Sequence, residues 1–169
     1  MMNRLSRQCL LPGCALLFQL QAATAAGCSI SSSGLAFGPY EPLTFPGRFS
    51  SVAVTSDATI NVSCTGIVTG GQYTITLGPS QAGSGDRIST RAMSNLAGGP
   101  DMVFNVYLDP TYTAVWGDGL TAGTVLGGSI APGDSSQSHT VYGRIPGGQN
   151  TLWAGQFSGT LTMTINYNP

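Results

Sequence analysis

Apolar and polar residues alternate with a period of two along much of this chain, the spacing of half-buried strands. In Thr59–Cys64, Ile60, Val62 and Cys64 share one face. Tyr73, Ile75 and Leu77 alternate with Thr74 and Thr76. Near the end, Leu161, Met163, Ile165 and Tyr167 alternate with Thr160, Thr162, Thr164 and Asn166, which predicts a strand over 161–167. Met102–Leu108 is apolar on both faces except at Asn105, the pattern of a central strand covered on both sides. Turn signals separate these runs: Gly70-Gly71, Gly83-Ser84-Gly85-Asp86, Gly98-Gly99-Pro100, Asp118-Gly119, Gly127-Gly128, Pro132-Gly133-Asp134 and Pro146-Gly147-Gly148. No stretch after residue 26 sustains a helical period with caps. The pattern predicts an all-β fold, an antiparallel sandwich or barrel, with no internal repeat or linker.

The N-terminus follows a different rule. Arg4 and Arg7 precede a short apolar run, Cys9–Leu20, and then Ala22-Ala23-Thr24-Ala25-Ala26. This is the layout of a secretory signal peptide over 1–26, cleaved after Ala25 or Ala26. The run is too short for a comfortable membrane span of about 20 residues, and Pro12 and Gly13 interrupt it. A lipobox ending at Cys28 is a weaker option, because Ala25 stands where a Leu is expected. The expectation is therefore a leader over 1–26 and one domain over 27–169, with no integral membrane segment in the mature chain.

Export changes how the cysteines read. Cleavage removes Cys9 and Cys14 and leaves Cys28 and Cys64. An even count in an oxidising compartment reads as one disulfide. It would close a loop of about 36 residues, worth about 4 kcal/mol in the chain-entropy model. Free thiols or a metal pair are the alternative, but two distant cysteines and the lone His139 make a poor zinc site.

Charge narrows the function. Six basic residues face seven acidic ones, and none is Lys. Losing Arg4 and Arg7 leaves four Arg against seven acids, too few cations for nucleic-acid binding. Charged residues are 8 % of the chain, against about 25 % in average proteins, so Ser, Thr, Asn, Gln and Gly must cover the surface. That composition suits a secreted or assembled protein.

No catalytic constellation is framed by motif. His139 lies in the polar run Ser-Ser-Gln-Ser-His-Thr and reads as a solvated loop or strand-edge residue rather than a general base. Asp101, Asp109 and Asp118 stand beside Pro or Gly and read as turn formers before calcium ligands. Arg87 and Arg91 could grip an acidic ligand, though an exposed or sheet-edge role is the plainer reading. Trp116 and Trp153 could stack on sugars; core or turn positions are the alternative. The sequon Asn61-Val62-Ser63 lies in a predicted strand and is discounted. The chain reads as a non-enzyme that needs no cofactor.

A set of short motifs resembles one family in order. Cys28-Ser29-Ile30 followed by Gly34-Leu35-Ala36-Phe37-Gly38-Pro39-Tyr40 looks like the opening of spore coat protein U (SCPU) domains, themselves similar to subunits of archaic, Csu-type chaperone–usher pili. Ile60–Gly66 resembles the second-cysteine strand, Arg91-Ala92-Met93 the Arg-x-Met element and Phe104–Asp109 the central strand. Val115–Gly119 and Val141–Pro146 are similar to two further motifs, and Gly155-Gln156-Phe157 leads into the last strand. Gly159 stands where the family often has Asp.

The resemblance implies an immunoglobulin-like sandwich lacking its last strand. Its groove would be filled by a periplasmic chaperone and then by a neighbouring pilus subunit, with delivery through an outer-membrane usher. Leu161, Met163, Ile165 and Tyr167 are the groove candidates, and nothing after this strand is left to close the fold. The expected location is the cell surface, reached through the periplasm. Only one or two residues would precede Cys28 after cleavage, so the chain is expected to accept a strand without donating one, as a tip-like subunit or stand-alone relative. A second reading is a secreted adhesin for a surface or glycan, with Leu43-Thr44-Phe45-Pro46 as an exposed apolar loop.

Overall fold

A computed structural model describes residues 27–41 and 52–168. The expected leader over 1–26 and the Leu43–Pro46 loop lie outside these residues. Nine strands follow in order: β1 Gly27–Ser32, β2 Val54–Ile67, β3 Gly71–Leu77, β4 Arg91–Asn95, β5 Met102–Tyr107, β6 Leu126–Ile130, β7 Gly133–Ile145, β8 Phe157–Ser158 and β9 Met163–Asn168. They form a six-stranded sheet ordered β1-β2-β7-β5-β4-β8 and a three-stranded sheet ordered β6-β3-β9. All pairings between these strands are antiparallel. The all-β, two-sheet architecture expected from the sequence is the one observed.

The alternation sets which side chains meet. On β2, Ala58, Ile60, Val62 and Cys64 are buried while their neighbours face out. On β3, Tyr73, Ile75 and Leu77 do the same, and the two rows join Phe104, Val106, Val141 and Trp116 in one core. β5 is hydrogen-bonded to β7 on one side and β4 on the other, the central position its apolar run predicts.

Cys28 and Cys64 face each other directly in the β1–β2 register, with Cα atoms 4.1 Å apart, and form a disulfide. That spacing is close to a non-hydrogen-bonded antiparallel pair, where side chains approach most closely. The bond fastens the edge strand β1 to the sheet. β2 continues past Cys64 through an irregularity to Ile67.

Two boundaries differ from the periodic reading. The last strand begins at Met163, and Leu161 lies before it. Thr162 still accepts a backbone hydrogen bond from Gly78, so the approach to β9 is anchored but not laddered. The polar run around His139 is the middle of the thirteen-residue strand β7, not a loop. Ser135, Gln137 and His139 occupy the partly buried positions there, and inward polar residues hide a strand from a hydrophobic-periodicity argument.

Candidate functional site

The two sheets do not close equally on both sides. Where the chain passes from β6 to β7, the Gln137 side-chain amide donates to the Ser129 carbonyl. The Tyr73 hydroxyl donates to Gln137 Oε1 at 2.7 Å. Gln137 thus ties the sheets together. The opposite seam lies between β1, an edge of the large sheet, and β9, an edge of the small one. These edges approach each other, yet no strand pairing joins them among the described residues.

An apolar cleft of about 310 Å³ opens at this seam. Its floor includes Ile60, Phe104, Val106 and Trp116, residues of the core itself. Gly159, Thr160, Leu161 and Met163 form one lip, and Ser32, Gly34 and Leu35 the other. A second cleft of about 890 Å³ continues toward Leu152, Trp153 and Leu96. Leu35, Phe37 and Met93 line both. Among the described residues, no Asp, Glu, Lys, Arg or His lines either cleft.

The segment Ser33–Tyr40 separates the two clefts. Leu35 and Phe37 lean over Gly143, where an added Cβ would sit 2.8 Å from Leu35 Cδ1 and 2.7 Å from Phe37 Cζ. Phe37 meets Phe104 edge-on with centroids 6.0 Å apart. Gly34 and Gly38 bound the pair at φ values of 77° and 72°, which L side chains rarely adopt. The segment is tied down by Ala36 N–H to Ser56 Oγ and by the Tyr40 hydroxyl donating to Pro146 O. The sequence reading placed Leu35 and Phe37 in a motif but not in the groove; their spacing of two between glycines was the available signal.

Among the expected groove residues, Leu161 and Met163 line the seam cleft. Ile165 and Tyr167 lie farther along β9, half-buried, opposite Ile75 and Tyr73 and outside both clefts. The remaining candidates have other surroundings. His139 sits inside β7, half-buried and hydrogen-bonded to the Tyr73 hydroxyl, which corrects the solvated loop or edge reading. That hydroxyl also donates to Gln137 Oε1, so Gln137 and His139 meet at one phenol oxygen. Burial raises the Tyr73 pKa.

Arg91 is fully buried rather than exposed. It donates to the Leu77 and Gly78 carbonyls and to Asn105 Oδ1. Desolvation lowers its pKa to about 10, partly offset by the charges of Asp118 and Asp86. Arg87 donates to the Gln81 carbonyl from a backbone at φ 53°. Trp116 is buried with Nε1 donating to Ile75 O, and Trp153 is exposed at the rim of the larger cleft. Asn61 accepts from the Ser138 hydroxyl on the outer face.

The three aspartates organise turns. Asp101 accepts from Gly83 N–H. Asp118 accepts from the amides of Leu120, Thr121 and Ala122, which lowers its pKa to about 2. Asp109 accepts from Thr111, Thr113 and Ala114 and is held well below the ordinary carboxylate range, first by the Thr111 hydroxyl. No cluster of metal-ligating side chains forms among the described residues. No helix there is long and apolar enough to cross a membrane.

The Spore Coat Protein U domain matches the chain over residues 15–164. A search of curated proteins finds no match.

Proposed function

The chain belongs to the Spore Coat Protein U domain family, associated with structural coat and pilus subunits rather than catalysis, and from that premise we propose that it is an exported strand acceptor. In this reading the seam between β1 and β9 takes an extended segment from a periplasmic chaperone and later from a neighbouring subunit. An outer-membrane usher would pass the subunit to a surface pilus or coat-like assembly. The carrying observation is the apolar seam cleft, lined by no charged side chain among the described residues, whose floor is the core itself. An added strand would find unpaired backbone on the facing edges and pockets for alternate side chains. Leu161 and Met163 would contact it from one lip, with Ile165 and Tyr167 continuing that edge.

The expected leader cleavage next to Cys28 adds that the subunit receives a strand without donating one, which suits a tip position. N-terminal sequencing of the exported protein checks this: a start at Ala26 or Gly27 supports it, and a long extension before Cys28 contradicts it. The acceptor role is tested by co-expression with a candidate periplasmic chaperone. A stable complex that protects the subunit from proteolysis is the expected result; a soluble, protease-resistant subunit that ignores the chaperone would refute the role.

A further inference from the structure

The outer face of the six-stranded sheet carries a second feature, built from residues the seam does not use. Tyr142 lies between Asp57 on β2 and Tyr107 on β5, directly opposite each in the register. Thr55 and Arg144 form the adjacent row, and side chains two apart on a strand share a face. Tyr112 meets Tyr107 edge-on, centroids 5.5 Å apart. The Arg144 guanidinium lies 5.3 Å from the centre of the Tyr112 ring. Three tyrosines, one arginine and Asp57 thus gather on a face whose remaining outward positions over 55–65 of β2 and 136–144 of β7 are Ser, Thr and Asn.

Tyr112 is held there against its backbone preference. Its φ of 58° is a conformation that L side chains rarely adopt. Asp109 fixes the loop by accepting from the amides of Thr111, Thr113 and Ala114 and the hydroxyls of Thr111 and Thr113. A strained residue that its surroundings over-determine points to a role for the side chain it presents.

The hydrogen-bonding capacity around the rings is open. Among the described residues the Arg144 guanidinium has the contact with Tyr112 but no hydrogen bond or ion pair, and the exposed Asp57 carboxylate has none either. A guanidinium offers donors only and a carboxylate acceptors only. Aromatic rings flanked by a free donor set and a free acceptor set match a pyranose sugar, whose C–H face packs on rings while its hydroxyls both give and take hydrogen bonds. A polyanion fits less well, because Asp57 stands beside the only open cation of the patch.

We propose that Tyr107, Tyr112, Tyr142, Arg144 and Asp57 form a binding site for neutral pyranose sugars, separate from the strand-accepting seam. The site stacks a ring on the tyrosines and brackets its hydroxyls between Asp57 and Arg144. It is independent of whether the seam accepts a strand.

The test is an NMR titration of the oxidised protein, alone or in the complex in which it is isolated, with maltose, cellobiose, lactose and N,N′-diacetylchitobiose. At least one sugar is expected to shift Tyr107, Tyr112 and Tyr142 resonances. Asp57→Asn and Arg144→Gln, both at solvent-facing positions, should each weaken that binding about tenfold or more, as loss of a charged hydrogen bond does. Trp153→Ala should leave it unchanged. Absence of any shift across the panel overturns the site, as does binding that survives both substitutions or is lost with Trp153. Self-association abolished by Arg144→Gln without any sugar effect would instead make the patch a protein contact, and would also overturn the proposal.

Discussion

Arg91 donates to Asn105 Oδ1 at 2.7 Å inside the core, and Asn105 in turn donates to the Ile88 and Ser89 carbonyls. The pair anchors two loops: Arg91 holds the end of β3 at Leu77 and Gly78, and Asn105 holds the turn before β4. Arg91→Met would remove the side-chain donor of the Leu77 and Gly78 carbonyls and one of the two donors to Asn105 Oδ1. We expect a loss of about 3–5 kcal/mol, read by chemical denaturation of the oxidised protein. A loss below about 1 kcal/mol would mean the loops hold themselves.

The turn aspartates predict acid sensitivity. The Asp109 and Asp118 pKa values are lowered in the folded chain, Asp118 to about 2, against about 3.9 unfolded. Their contribution is therefore complete above about pH 4 and lost as pH falls through the folded values. The thermal midpoint should drop between about pH 4 and pH 2, and Asp109→Asn should flatten part of that drop. A midpoint that is constant over this window would contradict the sign.

The disulfide secures one lip of the seam. Cys28 and Cys64 are separated by 36 residues in sequence. The double variant Cys28→Ala, Cys64→Ala should lose about 3–4 kcal/mol and expose the amides of Ser29–Ser32 to hydrogen exchange before those of β7. Equal protection in both strands would show that β1 needs no staple.

Gly143 seats the segment between the clefts, at an ordinary backbone conformation but with no space for a side chain. Gly143→Val should push Leu35 and Phe37 outward, cost about 1–3 kcal/mol and increase binding of an apolar dye. Unchanged stability and dye binding would mean that the two side chains seat elsewhere.

Much of the fold was legible because its strands separate apolar from polar residues. Ile60, Val62 and Cys64, and Tyr73, Ile75 and Leu77, are buried as their spacing predicts, and Met102–Tyr107 is a central strand. β7 was not legible, because Gln137 and His139 face inward to meet the Tyr73 hydroxyl. Arg91 looked like a surface cation because sequence carries no record of the carbonyls that receive it. The groove was only half legible. Leu161 and Met163 belong to an alternating run, whereas Leu35 and Phe37 belong to no regular strand and come to the seam through two glycine turns.

The central claim is that the β1–β9 seam accepts a strand, and the most direct measurement is the melting temperature of the purified oxidised chain during titration with synthetic strands. The peptides are about ten residues long with apolar side chains at alternate positions. A ligand of the folded state must raise the melting temperature with concentration, following RT ln(1 + [L]/Kd). The account predicts such a rise for alternating peptides and none for scrambled ones, with Leu161→Asp and Met163→Asp abolishing it. A chain whose melting temperature is the same with every peptide would contradict it.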